Sequence, residues 1–426
     1  MEKNQSKQAE KLFYVIIFIY FIFASHAFGY IGWSLLMPQN VAYLLSFLLL
    51  AIFVYYSFTI KAQEPRIKRI VNYIYYLPII AIFSKLFLDD GQTFNIEVRY
   101  TLTPIASFAF FYLLLKYKIK PEVVINSLVI IGLVTFVIQI VQQLKPEYAL
   151  FRDIYKGEVD DIQVLLRNDL YRFNVGTWAV ALFCFYYFWS KLVLDKLSII
   201  NIFLFFLFAA SIYLYLTRQI IIAVSATLII SLFIHKNSKN TRNIFVAFAL
   251  ISLVIVFNFE SLFGYFIDLT KNSEQSQNLR IEFIPEILAS SMRNPLMFLF
   301  GHGGFNTMES VWSYQGWSVS DVGFFGALWQ YGLFYIIVYY YTIYLLVIKY
   351  GNRIPLTARL YIISTSINSM FIFPYRDASE DLIWAFILYF CIYGINSKRH
   401  VVNNGMLLSE ERSRSIDNQL FKRTNI

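Results

Sequence analysis

Residues 258–320 read NFESLFGYFIDLTKNSEQSQNLRIEFIPEILASSMRNPLMFLFGHGGFNTMESVWSYQGWSVS, a long polar interruption in an otherwise near-continuous series of apolar runs. Each run is about twenty residues, the length at which an α-helix crosses roughly 30 Å of hydrocarbon. They lack the period-two alternation of outer-membrane strands, so the class is an all-α polytopic membrane protein. Twelve spans are expected, near 12–33, 40–60, 71–88, 99–115, 123–142, 173–190, 197–216, 218–234, 243–259, 321–348, 355–373 and 381–396. A chain that commits most of its length to lipid and folds one large segment outside it keeps its chemistry in or beside that segment, 257–320.

Composition agrees: 58% of the 426 residues are hydrophobic and mean hydropathy is +0.56. The first run is longer than a signal-peptide core and lacks a small-residue cleavage site after it, so it is expected to stay as an anchor. Lys and Arg gather in alternate connections, as in Lys61, Arg66, Lys68 and Arg69, then Lys116, Lys118 and Lys120. The positive-inside rule places those connections and both termini in the cytoplasm. The net charge of +9 therefore reports topology and gives no reason to expect nucleic acid as a partner. The tail 397–426 is basic and solvated, either topogenic or resting on anionic lipid. Cys184 and Cys391 both fall in spans without a CxxC or His partner, which excludes a disulfide framework and a Cys-built zinc site. With only four histidines a His-built metal site is not expected, and a carboxylate-only site stays open.

Two outer segments, 143–172 and 257–320, mix arginine, carboxylates and aromatics, as expected where a polar substrate meets a membrane surface. Within the larger one, 279–289 sets Ile281, Ile284 and Leu288 at helical spacing with Glu282 and Glu286 off that face. This predicts an interfacial amphipathic helix, kinked or started late by Pro285. GHGG at 301–304 predicts a tight turn, or a cradle in which backbone N–H groups around Gly303 approach an anion.

Arg218, in YLTRQIII at a tight outer turn, is either a functional cation or a helix-end residue snorkelling to lipid phosphate. Arg280, in QNLRIEF, could fork onto a diphosphate as lysine could not. Arg293, Arg167 and Arg172 read singly as surface-pair residues. Together these arginines suggest an anionic lipid head group such as a polyprenyl diphosphate. Asp321, in WSVSDVGFF, is either a cap of the following helix, alone or through Ser318 or Ser320, or a base for a sugar hydroxyl. His302 offers a second base, with an unperturbed pKa of about 6.5, or a structural hydrogen bond. Trp312, Tyr314, Trp317 and Trp329 fit an interfacial belt and also stacking on sugar rings.

Arg218 at a turn between spans, Arg280 opening a helix in a large outer loop, GHGGFN, and SDVGFFGALWQYGLFY entering the next span resemble the Wzy-type O-antigen and capsule polymerases. RFNVGTWAVALFCFYY, with Arg172, resembles the segment those proteins carry before a mid-chain span. The resemblance implies the GT-C-like fold shared with O-antigen ligases. It also implies a glycosyltransferase that extends polysaccharide on undecaprenyl diphosphate at the outer face of the bacterial cytoplasmic membrane, alongside a flippase and a chain-length regulator. Arg218 and Arg280 match the family's essential arginines and would hold the donor's diphosphate. Ligases commonly carry His-Asn where this chain has Asp321 and Val322, a departure that favours a polymerase. A diphosphate is already a good leaving group, so arginines can supply the needed charge stabilisation, and metal-independent catalysis with no cofactor is expected. The nearest rival is a ligase. A flippase or transporter is the rival from another class, but such proteins usually show repeat symmetry and mid-membrane charges, whereas here the polar weight is one-sided.

Overall fold

A computed structural model describes residues 39–61, 64–88, 107–145, 166–167, 170–171, 178–194, 198–215, 218–234, 284–302, 322–370 and 380–396. The helices are α1 Gln39–Thr59, α2 Pro65–Leu88, α3 Ala109–Tyr117, α4 Pro121–Leu144, α5 Trp178–Leu194, α6 Ile199–Leu214 and α7 Arg218–Ile234. They continue as α8 284–292, α9 Pro295–Phe300, α10 Phe324–Ile343, α11 Leu356–Asn368 and α12 380–396. Outside this pattern, Leu166–Arg167 (β1) pairs antiparallel with Leu170–Tyr171 (β2), a small hairpin in a segment expected to be loop. Proline opens α2, α4 and α9, where its missing N–H costs no helical bond.

Ten expected spans fall on these helices, although only the end of 99–115 is described, and 12–33 and 243–259 lie outside the described residues. By length and composition two helices can cross a membrane, Pro121–Val141 and Phe324–Lys349, so twelve full-length spans are not what the described residues show. Trp178–Leu194, Ile199–Leu214 and Gln219–Ile234 are apolar but shorter. At 16 or 17 residues they reach about 24–26 Å.

The second long helix is not a straight rod. At Gly332, φ is 79° and ψ is 172°, far from helical values. The Phe324 and Tyr340 rings nevertheless lie 6.2 Å apart, whereas sixteen residues of straight helix would separate them by about 24 Å. α10 is therefore a helical hairpin with one arm from Phe324 to Tyr331 and a second from Leu333 onward. The second arm runs into a π-helical turn, Tyr344–Lys349, and by itself reaches about 25 Å.

The core sits around α5 and α12, which are buried nearly all round, as helices enclosed by others must be. α5 packs on α4, α6 and α11, while α2 packs on α9 and α10. The outward faces are apolar too: Ile199 is 83% exposed and Phe58 78%, an exterior suited to hydrocarbon rather than water. Where area burial against lipid gives little drive, buried polar pairs join helices. The Ser211 hydroxyl donates to Gln139 Oε1 at 2.7 Å (α6 to α4), and the Trp189 indole donates to Ser231 Oγ at 3.0 Å (α5 to α7). The Tyr186 hydroxyl on α5 faces Ser364 on α11 and Thr227 on α7. Lys68 Nζ donates to the Ile60 carbonyl at 2.6 Å, and partial burial pulls this ammonium below the usual lysine range. Gln139→Leu strands the buried Ser211 hydroxyl. The expected cost is about 0.5–1.5 kcal/mol, read as a lowered unfolding temperature in detergent.

Candidate functional site

The long polar segment contributes two short helices that dock on α10. α8 is described from Ile284, with Pro285 close to that edge, and residues 279–283 of the expected amphipathic helix lie outside the described residues. It buries Ile287 and Ser291 and leaves Glu286 exposed. Asn294 caps α9, its Oδ1 accepting from the Leu296 N–H at 3.0 Å, and α9 packs against both α10 and α2. α9 ends at Gly301, where φ is +88° and a Cβ would strike the Gln330 carbonyl oxygen and lie 2.6 Å from the Tyr331 carbonyl carbon. The glycine that opens GHGG thus serves a crossing of two main chains. Gly303 lies outside the described residues.

His302 follows directly and is buried, at 8% exposure. Its main-chain N–H donates to the Trp329 carbonyl at 2.8 Å, and ring Nδ1 is 3.1 Å from the same oxygen. The imidazole lies flat on the Trp329 indole, with centroids 4.6 Å apart and planes 4° from parallel. The indole N–H donates to Ser290 Oγ at 3.3 Å, which fastens the stack to α8. A carbonyl oxygen only accepts, so this contact requires the proton on Nδ1 and leaves the ring's lone pair on Nε2. Trp329, read from sequence as belt or sugar platform, is the platform for His302.

Arg218 is the first residue of α7, at the turn after α6, as its sequence position implied. Arg167 lies on β1 opposite Leu170. Arg293 is exposed in the turn between α8 and α9, with its N–H on the Ser290 carbonyl at 3.3 Å, so it shares the Ser290 corner with the His302 stack. Arg280, Arg172, Trp312, Trp317 and Asp321 lie outside the described residues, as do Tyr314, Ser318 and Ser320. The N-cap of α10 is Gly323 rather than Asp321, because Val322 precedes the α-helix in a 3₁₀ turn.

A second polar group escaped the sequence reading. Glu380 and Asp381, on α12, are 2% and 0% exposed. Tyr339 on the second arm of α10 faces Ser369, Ser366 and Glu380. The signal in the sequence was RDASED, four charged residues within 376–381 between two apolar runs. The hairpin in α10 brings Phe324 to the level of Tyr340, beside Tyr339, which faces Glu380. Among the described residues no group of three or more His, Cys, Asp or Glu is placed to hold a metal ion.

Residues 203–340 match the family model described as O-antigen ligase (Wzy_C). The match takes in most of α6, then α7, the long polar segment with α8 and α9, and the α10 hairpin as far as Tyr340. It covers about a third of the chain and bears out the resemblance drawn from Arg218, Arg280 and GHGGFN. No curated protein and no solved structure matches the chain.

Proposed function

We propose that this protein is a membrane glycosyltransferase that polymerises undecaprenyl-diphosphate-linked oligosaccharide repeat units into O-antigen or capsular polysaccharide. In this reading it crosses the bacterial cytoplasmic membrane twelve times with both termini inside, has the GT-C-like fold, and works at the outer face with a flippase and a chain-length regulator. The observation that carries it is the O-antigen ligase family match over 203–340, which contains Arg218, Arg280 and His302 in one stretch. The segment 257–320, together with 143–172, forms the outer part of the site.

The chemistry is a group transfer from a diphosphate. A hydroxyl oxygen of the acceptor sugar attacks the anomeric carbon of the donor, the bond from that carbon to the phosphate oxygen breaks, and undecaprenyl diphosphate leaves with the electron pair. Arg218 and Arg280 hold the departing diphosphate, with Arg172, Arg167 and Arg293 as further contacts and Gly303, Trp312 and Trp317 against phosphate and sugar. His302 or Asp321 accepts the hydroxyl proton. Because the leaving group needs charge rather than a strong acid, two guanidinium groups suffice, and activity is expected to persist in excess chelator.

The test is complementation of a strain lacking this protein with Arg218→Ala and Arg280→Ala variants, reading the surface polysaccharide on a gel. Loss of long chains with single repeat units still attached is the expected result; full ladders from both variants would sink the assignment. The matched description itself favours a second reading, a ligase, which predicts loss of every attached unit while lipid-linked polymer accumulates. Repeat units trapped facing the cytoplasm would instead mark a flippase.

A further inference from the structure

We propose that Trp329 is a positioning residue that makes His302 the base of the transfer. Within an α-helix the carbonyl of Trp329 would be taken by the N–H four residues on, at Leu333. Leu333 lies just past the reversal at Gly332, where the backbone leaves helical geometry. The Trp329 carbonyl turns instead to His302 and accepts from both its main-chain N–H and its ring. Two glycines make the approach possible. A Cβ at Gly301 would meet the Gln330 carbonyl oxygen, and a Cβ at Gly332 would lie 2.5 Å from the Phe300 carbonyl carbon.

The consequence is chemical. With Nδ1 held as donor in both the neutral and the charged ring, the proton taken from a sugar hydroxyl can enter only at Nε2. As it enters, the Nδ1–H bond to the carbonyl becomes charge-assisted and the stacked indole gains a cationic partner, so both contacts strengthen as the base acquires its proton. The Ser290 hydroxyl fixes the indole plane and so fixes the ring. The inference rests on the glycosyltransferase reading above and assigns the proton acceptor that reading leaves between two residues.

The experiment uses the full-length protein labelled with ¹⁵N-histidine. Its four imidazoles are His26, His235, His302 and His400, and His302→Gln identifies the signal that belongs to the site. In the wild type, at a pH where the ring is neutral, the His302 proton is expected on Nδ1. Chain extension is then followed on lipid-linked repeat units isolated from cells lacking the protein. Trp329→Ala, which keeps the main-chain carbonyl and with it the proton on Nδ1 but removes the stacked indole, is expected to lower kcat about 100-fold with KM changed less than about threefold. Trp329→Phe, which keeps a stacking face and the main-chain carbonyl, is expected to stay within about threefold of wild type. A proton on Nε2 in the wild type overturns the proposal and requires no variant to fold. Equal kcat for the two Trp329 variants, or full activity in His302→Gln, overturns it as well. Neither result touches the arginine assignment, and intact ladders in the arginine variants leave the tautomer measurement unaffected.

Discussion

Gly332→Ala is expected to remove long-chain polymer and most of the folded protein together. At φ 79° and ψ 172°, Gly332 sits in a region open essentially to glycine alone, and holding an L-residue there costs about 1–3 kcal/mol before any contact is counted. The new methyl group would also press on the main chain of Leu299, Phe300 and Gly301. Main-chain atoms cannot rotate aside as a flexible side chain would, so α9 must move off α10 or the hairpin must open. Either displacement separates His302 from Trp329. Against a total stability of roughly 5–15 kcal/mol this single change is large. It should appear as a loss of the monodisperse peak in detergent size-exclusion chromatography and as a missing ladder in cells. A wild-type peak with normal chain lengths would show that α9 and α10 do not cross there.

Arg280→Lys tests geometry separately from charge. The two side chains carry the same charge, but only the planar guanidinium presents two parallel N–H donors to a phosphate. If Arg280 holds the leaving diphosphate, removing the fork lowers stabilisation of charge that develops in the transition state, and one such donor is worth about 100–1,000-fold in rate. The lysine variant should therefore keep KM within a few-fold and lose at least about 100-fold in kcat, close to the loss for Arg280→Ala. Wild-type kcat in the lysine variant would reduce Arg280 to a member of a diffuse basic field. The same pair of substitutions at Arg218 should give the same pattern if the two act on one diphosphate.

Much of the helical framework was legible because an apolar run of sufficient length has few alternatives to helix in lipid. α7 covers the expected 218–234, and the described part of α12, 380–396, covers the expected 381–396. α4 and α2 begin at their prolines, Pro121 and Pro65, and the second lies ahead of the hydropathic edge because a helix can run past the apolar zone. Span length was less legible. Hydropathy counts residues and cannot tell a rod from a hairpin, so SDVGFFGALWQYGLFY read as the entry of one straight span. The reversal is set by Gly332 against Gly301, residues 31 positions apart in sequence.

The site divides in the same way. Arg218 at a helix start follows from local rules of helix ends, and the structure places it where the sequence put it. His302 was visible only as one of two candidate bases. Its tautomer, its stack on Trp329 and the tie to Ser290 come from three separate helices. Glu380 and Asp381 were invisible as buried acids because the groups that enclose them come from other helices, as Tyr339 on α10 does for Glu380. By itself the sequence determined that this chain is helical and apolar, where its helices begin, and which family segment it carries, since these depend on short-range periodicity and local composition. Only the tertiary structure decided that α10 folds back on itself and that His302 is held by a carbonyl with Nε2 as its basic atom. Those facts arise where main chains from distant segments meet at van der Waals contact, and no local pattern encodes that meeting.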